Sequence, residues 1–206
     1  MPNNPTKEDV LREFRERGIL DGARHLVAQE GLEKLTIDRV AEEAGIAKGT
    51  VYLYYKTKDD LLRAVLGDIF DRLTARMREA IASADAFPDQ LRAFIRAGFF
   101  ELDAHQAFFR ALIARPDASP PPHDESVVRM INEHLAILGS WFEQAKEAGY
   151  LRSGVDPVRS AFSVMSILHG TGIRQLHGLL PGSLEDELEP LIDTILYGIG
   201  EKGVQS

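Results

Sequence analysis

Four side chains between positions 48 and 54 can form hydrogen bonds and recur at short spacing: Lys48, Thr50, Tyr52 and Tyr54. The surrounding stretch, residues 45–58, holds three lysines and no acidic residue. Ammonium and hydroxyl groups bind phosphate oxygens and the polar edges of bases without forming covalent bonds. The chemistry that this stretch indicates is therefore noncovalent recognition of nucleic acid.

Two short helices are predicted to position these side chains. Thr36 can cap the first helix, whose apolar residues recur at i, i+3, i+4 and i+7 as Ile37, Val40, Ala41 and Ala44. Gly45 follows where glycine readily ends a helix, and Ile46 can anchor the turn in the core. The second helix runs from Lys48 to about Tyr54. Two short helices joined by a glycine-bearing turn are typical of the unit that places its second helix in the DNA major groove.

Residues 19–65 resemble the N-terminal DNA-binding domain of the TetR family of transcriptional regulators. The resemblance rests on residues at fixed spacing: Gly31, Thr36, Val40-Ala41, Ala44-Gly45-Ile46, Ala47, Lys48-Gly49-Thr50-Val51-Tyr52, Leu53-Tyr54-Tyr55, Lys56-Thr57-Lys58 and Asp59-Asp60-Leu61-Leu62. Three positions depart from the family pattern. Tyr55 replaces a usual Phe, Val40 a usual Ile, and Gly22 a usual Ala inside the first helix. Gly22 should destabilise that helix by about 1 kcal/mol relative to Ala.

The resemblance implies DNA contacts at seven residues: Thr36, Lys48, Gly49, Thr50, Tyr52, Tyr54 and Lys58. Lys48 would reach a guanine edge or a phosphate, and Gly49 would let the backbone approach DNA closely. Thr50 would contact a phosphate or a thymine methyl group, and the other four would hydrogen-bond to phosphates. The alternative is that the tyrosines are core aromatics and the lysines are merely solvated. For Tyr52 both interpretations stay open, whereas Tyr55 is expected to be buried.

Composition restricts the class of protein. The chain has 206 residues, no cysteine and a net charge of −8. Residues 1–60 hold 10 basic and 12 acidic side chains, a net of −2, and residues 61–206 hold 14 and 20, a net of −6. The DNA-reading part is thus the less acidic one, and the local field at the contact face matters most. Because no stretch is apolar enough for a signal sequence or a membrane span, we expect a cytoplasmic protein with no membrane partner.

Nearly the whole chain is predicted to be helical, without strands. The expected fold is all-α, with a three-helix DNA-binding domain over residues 1–58 and a helical effector-binding and dimerisation domain over residues 59–206. Helices are predicted over residues 7–29, from 59 onward, and over 88–102, 108–113, 125–148, 157–177 and 184–200. Residues 115–124 are too rich in proline for a helix and are predicted to form a loop.

Dimerisation is expected because one such domain neutralises few phosphates. Two copies would bind a near-palindromic site with half-sites ~34–36 Å apart, or a multiple of that distance. The resemblance implies that helices 157–177 and 184–200 form the interface of a homodimer. The candidate interface residues are Leu168, Leu188, Leu191 and Ile195. Gly170 and Gly172 would permit close helix approach, or they would only loosen their helix.

A small-molecule effector is also implied by the resemblance, in a cavity among the fifth to eighth helices. The candidate wall residues are Phe99, Phe100, Phe108, Phe109, Trp141, Phe142, Met165 and His169, and each could equally be an ordinary core residue. Such a wall would suit an apolar or aromatic ligand. Its possible polar anchors are His105, His134, His169 and Arg174, which could instead be structural.

Catalysis is not expected, because no phosphate-binding loop, nucleophile motif or paired histidine motif is present. No cofactor and no metal are expected either. The predicted function is a ligand-responsive transcriptional regulator, with repression the usual mode of the family. The alternative is a DNA-binding protein of the same fold without a small-molecule effector, controlled by a partner or acting in nucleoid organisation or cell division.

Overall fold

The computed structural model describes residues 6–114 and 125–199. Over these residues the chain is all-α, as predicted, and no strand occurs. Nine α-helices follow one another in the described parts: α1 Lys7–Glu30, α2 Ile37–Glu43, α3 Lys48–Tyr54, α4 Lys58–Ala82, α5 Phe87–Ala104, α6 Gln106–Ile113, α7 Glu125–Glu147, α8 Pro157–Leu176 and α9 Leu184–Ile199. The predicted proline-rich loop over 115–124 lies outside the described residues.

Helix boundaries follow the capping signals in the sequence. The backbone N–H of Asp9 donates to the Thr6 hydroxyl at 3.2 Å, and the Asp9 carboxylate accepts from the Thr6 N–H at 2.9 Å. This reciprocal pair begins α1. At α8, Asp156 caps by accepting from the Arg159 N–H at 2.8 Å, and Pro157 occupies the first turn. The predicted cap and first turn of that helix are therefore confirmed.

The described residues divide into two compact units. The borders fall between residues 69 and 70, within α4, and between residues 106 and 107, at the beginning of α6. Unit 1 thus holds α1 to α3, the first half of α4 and nearly all of α6, and unit 2 holds the remaining described helices. The domain boundary predicted from sequence, between residues 58 and 59, lies at the beginning of α4.

Unit 1 has its own apolar core. Its fully buried side chains come from α1, α2, α3 and the first half of α4, and include Ile19, Leu26, Val40, Val51, Leu61 and Val65. Between α2 and α3 the chain turns at Gly45, whose φ of +66° favours glycine. The N–H of Ile46 then donates to the Ala41 carbonyl at 3.0 Å, which closes the turn. The predicted helix-turn-helix is thereby present in the structure.

Unit 2 is packed around three aromatic side chains. The rings of Phe87, Trp141 and Phe142 have centroids 5.1 to 5.3 Å apart, and all three are buried. A Cβ atom at Gly172 would lie 2.9 Å from a Leu102 side-chain carbon, so this glycine lets α8 approach α5 within the same subunit. Close approach at Gly172 is therefore already used inside the fold, whereas Gly170 has no neighbour at that range.

Candidate nucleic-acid interface

Helix α3 presents most of its surface to solvent. Val51 is its one buried residue and fixes the helix to the core of unit 1. Lys48, Gly49, Tyr52 and Leu53 are exposed, and Thr50 and Tyr54 are half-buried. A helix that buries so little has an open face for a partner.

The ammonium nitrogen of Lys48 already has an acidic neighbour. It lies 2.6 Å from a carboxylate oxygen of Asp38 on α2, and both side chains are about half exposed. The hydrogen bond to Asp38 raises the pKa of Lys48 above its ordinary value. Lys48 also lies over the Tyr52 ring, 5.8 Å from its centroid. The cation of the predicted reading helix is thus held in place before any ligand is present.

Gly49 and Thr36 have the geometry that their predicted roles require. A Cβ atom at Gly49 would meet no other atom within 4 Å, so the backbone there is open to a partner. Thr36 caps α2, because its hydroxyl accepts from the Arg39 N–H at 3.2 Å, and the side chain stays exposed. The hydroxyl of Thr36 retains donor capacity for a phosphate oxygen.

Two tyrosines connect the end of α3 to α1. The Tyr54 hydroxyl donates to the Arg12 carbonyl at 3.4 Å, and the Tyr55 hydroxyl donates to a Glu16 carboxylate oxygen at 3.2 Å. Tyr55 is buried, as expected from sequence. Burial raises the pKa of Tyr55, and the negative charge of Glu16 raises it further. Tyr55 is therefore a positioning residue that remains a protonated donor at neutral pH.

Two further lysines are bonded to backbone carbonyls. The ammonium of Lys58, at the beginning of α4, donates to the Leu32 carbonyl at 2.6 Å. The ammonium of Lys56 donates to the Tyr52 carbonyl at 2.6 Å. An ammonium group has three donors, so Lys56 retains donors for a second oxygen. The phosphate contact predicted for Lys58 stays a prediction.

A buried arginine that the sequence analysis missed links α1 to α4. Arg24 is 8 % exposed and forms ion pairs with Asp21 and with Asp68 of α4. The i,i+3 spacing of Asp21 and Arg24 is a weak local signal, and nothing in the sequence marks Asp68 as the second partner. The pair with Asp68 holds α4 against α1, the helix to which the end of α3 is bonded, so Arg24 is a positioning residue for the interface.

Comparison with known proteins agrees with this geometry. The sequence model for the bacterial regulatory proteins of the tetR family matches residues 19–65, which span the helix-turn-helix and its flanking helices. Residues 19–65 therefore form a DNA-binding domain of the tetR family. The chain is 26 % identical over 140 residues to the fatty acid metabolism regulator protein of Bacillus subtilis, an alignment that covers 67 % of this chain and 71 % of that relative. The TetR-family proteins to which it is similar are DNA-binding transcriptional regulators and not enzymes.

Solved structures show the same fold over nearly the full chain. The FadR regulator of Bacillus subtilis in complex with stearoyl-CoA superposes with a TM-score of 0.76 at 20 % identity, covering 89 % of this chain and 98 % of that one. A complex of triclosan with SmeT, the repressor of a Stenotrophomonas maltophilia efflux pump, gives a TM-score of 0.70 at 23 % identity. That alignment covers 94 % of this chain and 95 % of the other. The TetR-type fold thus extends from the helix-turn-helix through the C-terminal helices.

The structure does not bring the predicted effector-binding residues together. Phe99, Trp141 and Phe142 are buried in the core of unit 2, while Phe100 and His169 are exposed. Phe108 and Phe109 pack in unit 1 instead. Met165 is half-buried. Their role as a cavity wall stays a prediction, and it would require the aromatic core to open.

Two of the predicted polar anchors have partners within the protein. His105 lies 3.4 Å from Glu101, and His134 is bonded to Thr74 at 2.8 Å and to the Met130 carbonyl at 2.9 Å. His169 and Arg174 are exposed on α8. The satisfied contacts of His105 and His134 favour the structural interpretation of these two residues.

A solvent-open groove of about 520 Å³ runs along α7. It is lined by Glu125, Val128, Arg129, Asn132, Glu133 and Ala136. None of the predicted effector-binding residues lines this groove.

Three of the four predicted interface residues lie inside the subunit. Leu188, Leu191 and Ile195 are buried in the core of unit 2, and Leu168 is half-buried against it. They are therefore already covered by their own chain. The exposed large apolar side chains on α8 and α9 are Val158, Phe162 and Tyr197.

One face of α8 is largely apolar and mostly exposed. Val158, Phe162, Met165 and His169 recur at i, i+4, i+7 and i+11, which places them along a single stripe. Phe162 is 58 % exposed. We call these four residues the α8 stripe.

None of the helices in the described segments is long and apolar enough to span a membrane.

Proposed function

We propose that the protein is a ligand-responsive repressor that binds a near-palindromic operator as a homodimer. The observation that carries this proposal is the face of α3, where Lys48, Gly49 and Tyr52 are exposed around a helix fixed by Val51. On this proposal α3 enters the major groove. Thr36, Tyr52, Tyr54 and Lys58 would bind phosphates around it, and Lys48, Gly49 and Thr50 would lie in or at the groove.

Footprinting of the DNA upstream of the protein's own gene, at two salt concentrations, tests operator binding. We expect two protected lobes with near-palindromic sequence, since a homodimer presents two equivalent reading helices. If that DNA is not protected, selection from a pool of randomised duplexes extends the test to other sequences. Enrichment of no sequence by the full-length protein would contradict the proposal.

Substitutions then test the assignment of contacts. Lys48→Ala and Thr50→Ala should weaken operator binding, and Lys58→Ala should weaken all DNA binding and lower the salt slope by about one unit. Lys146→Ala, at the end of α7, is a control that removes a lysine outside the helix-turn-helix. Operator affinity equal to that of the control for all three variants would place the contacts elsewhere.

Similarity to other proteins supports a largely apolar effector. The relatives include a fatty acid metabolism regulator, a FadR bound to stearoyl-CoA and a SmeT bound to triclosan. A stearoyl chain and a chlorinated aromatic are both mainly apolar. An effector of this class would bind in the α7 groove or would separate the packed rings of Phe87, Trp141 and Phe142.

Release of the operator by such ligands is directly measurable. Titration of the protein–operator complex with stearoyl-CoA and, separately, with triclosan should lower the fraction of operator that is bound. This result requires that the ligand binds the DNA-free conformation of the protein more tightly than the DNA-bound conformation. Coenzyme A alone serves as the control for the polar headgroup. If a broader panel of apolar ligands also leaves operator binding unchanged, the result supports a second candidate function, that of a DNA-binding regulator of the same fold without a small-molecule effector. The filled aromatic core of unit 2 favours that candidate.

A further inference from the structure

The side chain of Leu53 is exposed and does not contribute to the core of unit 1. It has the largest exposed fraction of the large apolar side chains in the described residues, 78 %. It follows the buried Val51 by two positions on α3, which turns it about 200° around the helix. Leu53 therefore projects from the side of α3 opposite the core.

The neighbours of Leu53 identify DNA as the partner of this side chain. Gly49 lies one turn before it and leaves the same face without a side chain. Lys48 and Tyr52 flank this face with a cation and a hydroxyl group. Residues 45–58 themselves contribute three lysines and no acidic residue to this region, and Asp38 of α2 is the carboxylate paired with Lys48.

A leucine side chain has one apolar complement in the major groove. Base edges there present donors and acceptors, except for the C5-methyl group of thymine. Covering a donor or acceptor with leucine would remove it from water without a partner, which is unfavourable. Contact with a thymine methyl group instead removes two apolar surfaces from water.

We propose that Leu53 is a specificity-determining residue that contacts the methyl group of a thymine in each operator half-site. The absence of a side chain at Gly49 lets the α3 backbone come near enough for this contact. The inference rests on the proposed function, since it requires that α3 lies in the major groove. The inference requires that each half-site of the operator has a thymine at one defined position.

The test pairs a protein methyl group with a DNA methyl group. The operator selected by the full-length protein is synthesised with deoxyuridine at one thymine at a time, in both half-sites, which removes only the C5-methyl group. Affinity is measured for the wild-type protein and for Leu53→Ala. Leu11→Ala, an exposed leucine on α1, is the matched control. Alanine favours helix and Leu53 is not packed, so Leu53→Ala should fold normally.

We expect one thymine position at which deoxyuridine lowers wild-type affinity about fourfold per half-site, as for one methyl group exposed to water. At that position Leu53→Ala should show no further loss, while the Leu11→Ala control keeps the wild-type response. Equal losses for wild-type and Leu53→Ala at every thymine would overturn the inference. So would a changed oligomeric state of Leu53→Ala in sedimentation with unchanged DNA affinity, which would make Leu53 a protein contact. In both cases the selected operator would still support the proposed function. Failure to select any operator would contradict both the proposed function and the inference about Leu53.

Discussion

Lys48 of the reading helix is paired with Asp38 of the preceding helix, with 2.6 Å between the ammonium nitrogen and a carboxylate oxygen. A phosphate or base that binds Lys48 must compete with this carboxylate or share the ammonium group with it. The pair orients Lys48 over Tyr52, but it also places a negative charge beside the predicted path of the DNA. We therefore expect Asp38 to oppose DNA binding while it positions the lysine.

Asp38→Asn should tighten DNA binding. The substitution removes one negative charge near the phosphates and frees Lys48, a change that should raise affinity roughly fivefold at low salt. The gain should shrink as salt is added, because both charges are exposed and screened. Fluorescence anisotropy at several salt concentrations measures it. Asp193→Asn, with the same charge change on α9, is the control, and equal affinity of the two variants would contradict the role given to Asp38.

Arg24→Met should destabilise unit 1. It removes both ion pairs of a buried guanidinium and leaves Asp68 without that partner, which should lower the free energy of unfolding by about 2 kcal/mol. Arg17→Met on the same helix removes an exposed ion pair with Glu13 and should change the free energy of unfolding by about 0.5 kcal/mol or less. Urea denaturation followed by circular dichroism measures both variants. Similar values for the two would show that burial of Arg24 has no energetic weight.

The stability of unit 1 should fall in alkaline solution through Tyr55. Its pKa in the folded protein is raised above the ordinary value of 10.0, because the phenol is buried beside Glu16. Folding therefore favours the protonated phenol, and this contribution is complete below pH 10 and is lost as the pH rises above it. Melting temperatures between pH 9 and pH 11 should fall less for Tyr55→Phe than for the wild type. Parallel curves for the two proteins would exclude Tyr55 as the cause.

The local sequence determined much of this structure. Thr36, the apolar spacing from Ile37 to Ala44 and the glycine at position 45 encode the helix-turn-helix by short-range effects, so it could be predicted. Helix ends with strong signals, such as Asp156-Pro157, were predicted for the same reason. The burial of Tyr55 followed from its place in the family pattern.

Features that depend on distant residues could not be predicted. Arg24 pairs with Asp68, which is 44 positions away, and no local pattern joins them. Leu191 and Phe162 are both apolar residues on amphipathic helices, yet one is 9 % exposed and the other 58 %. An apolar residue at helical spacing indicates a buried face, but it does not distinguish burial by the same chain from burial by a partner.

The exposed α8 stripe leads to a revised test of the dimer interface. We expect a second copy of the chain to cover the α8 stripe in the proposed homodimer. Phe162→Glu should then yield folded monomers that lose operator binding, because a carboxylate would replace an exposed apolar side chain of that stripe. Leu191→Glu, at one of the interface residues predicted from sequence, should instead unfold unit 2, since it places an unpaired charge in that unit's own core. Phe100→Glu makes the same change at a similarly exposed phenylalanine of α5 and should stay dimeric. Sedimentation velocity and circular dichroism separate these outcomes. A dimer of Phe162→Glu would move the interface away from the α8 stripe, and a folded Leu191→Glu monomer would return it to the residues first predicted.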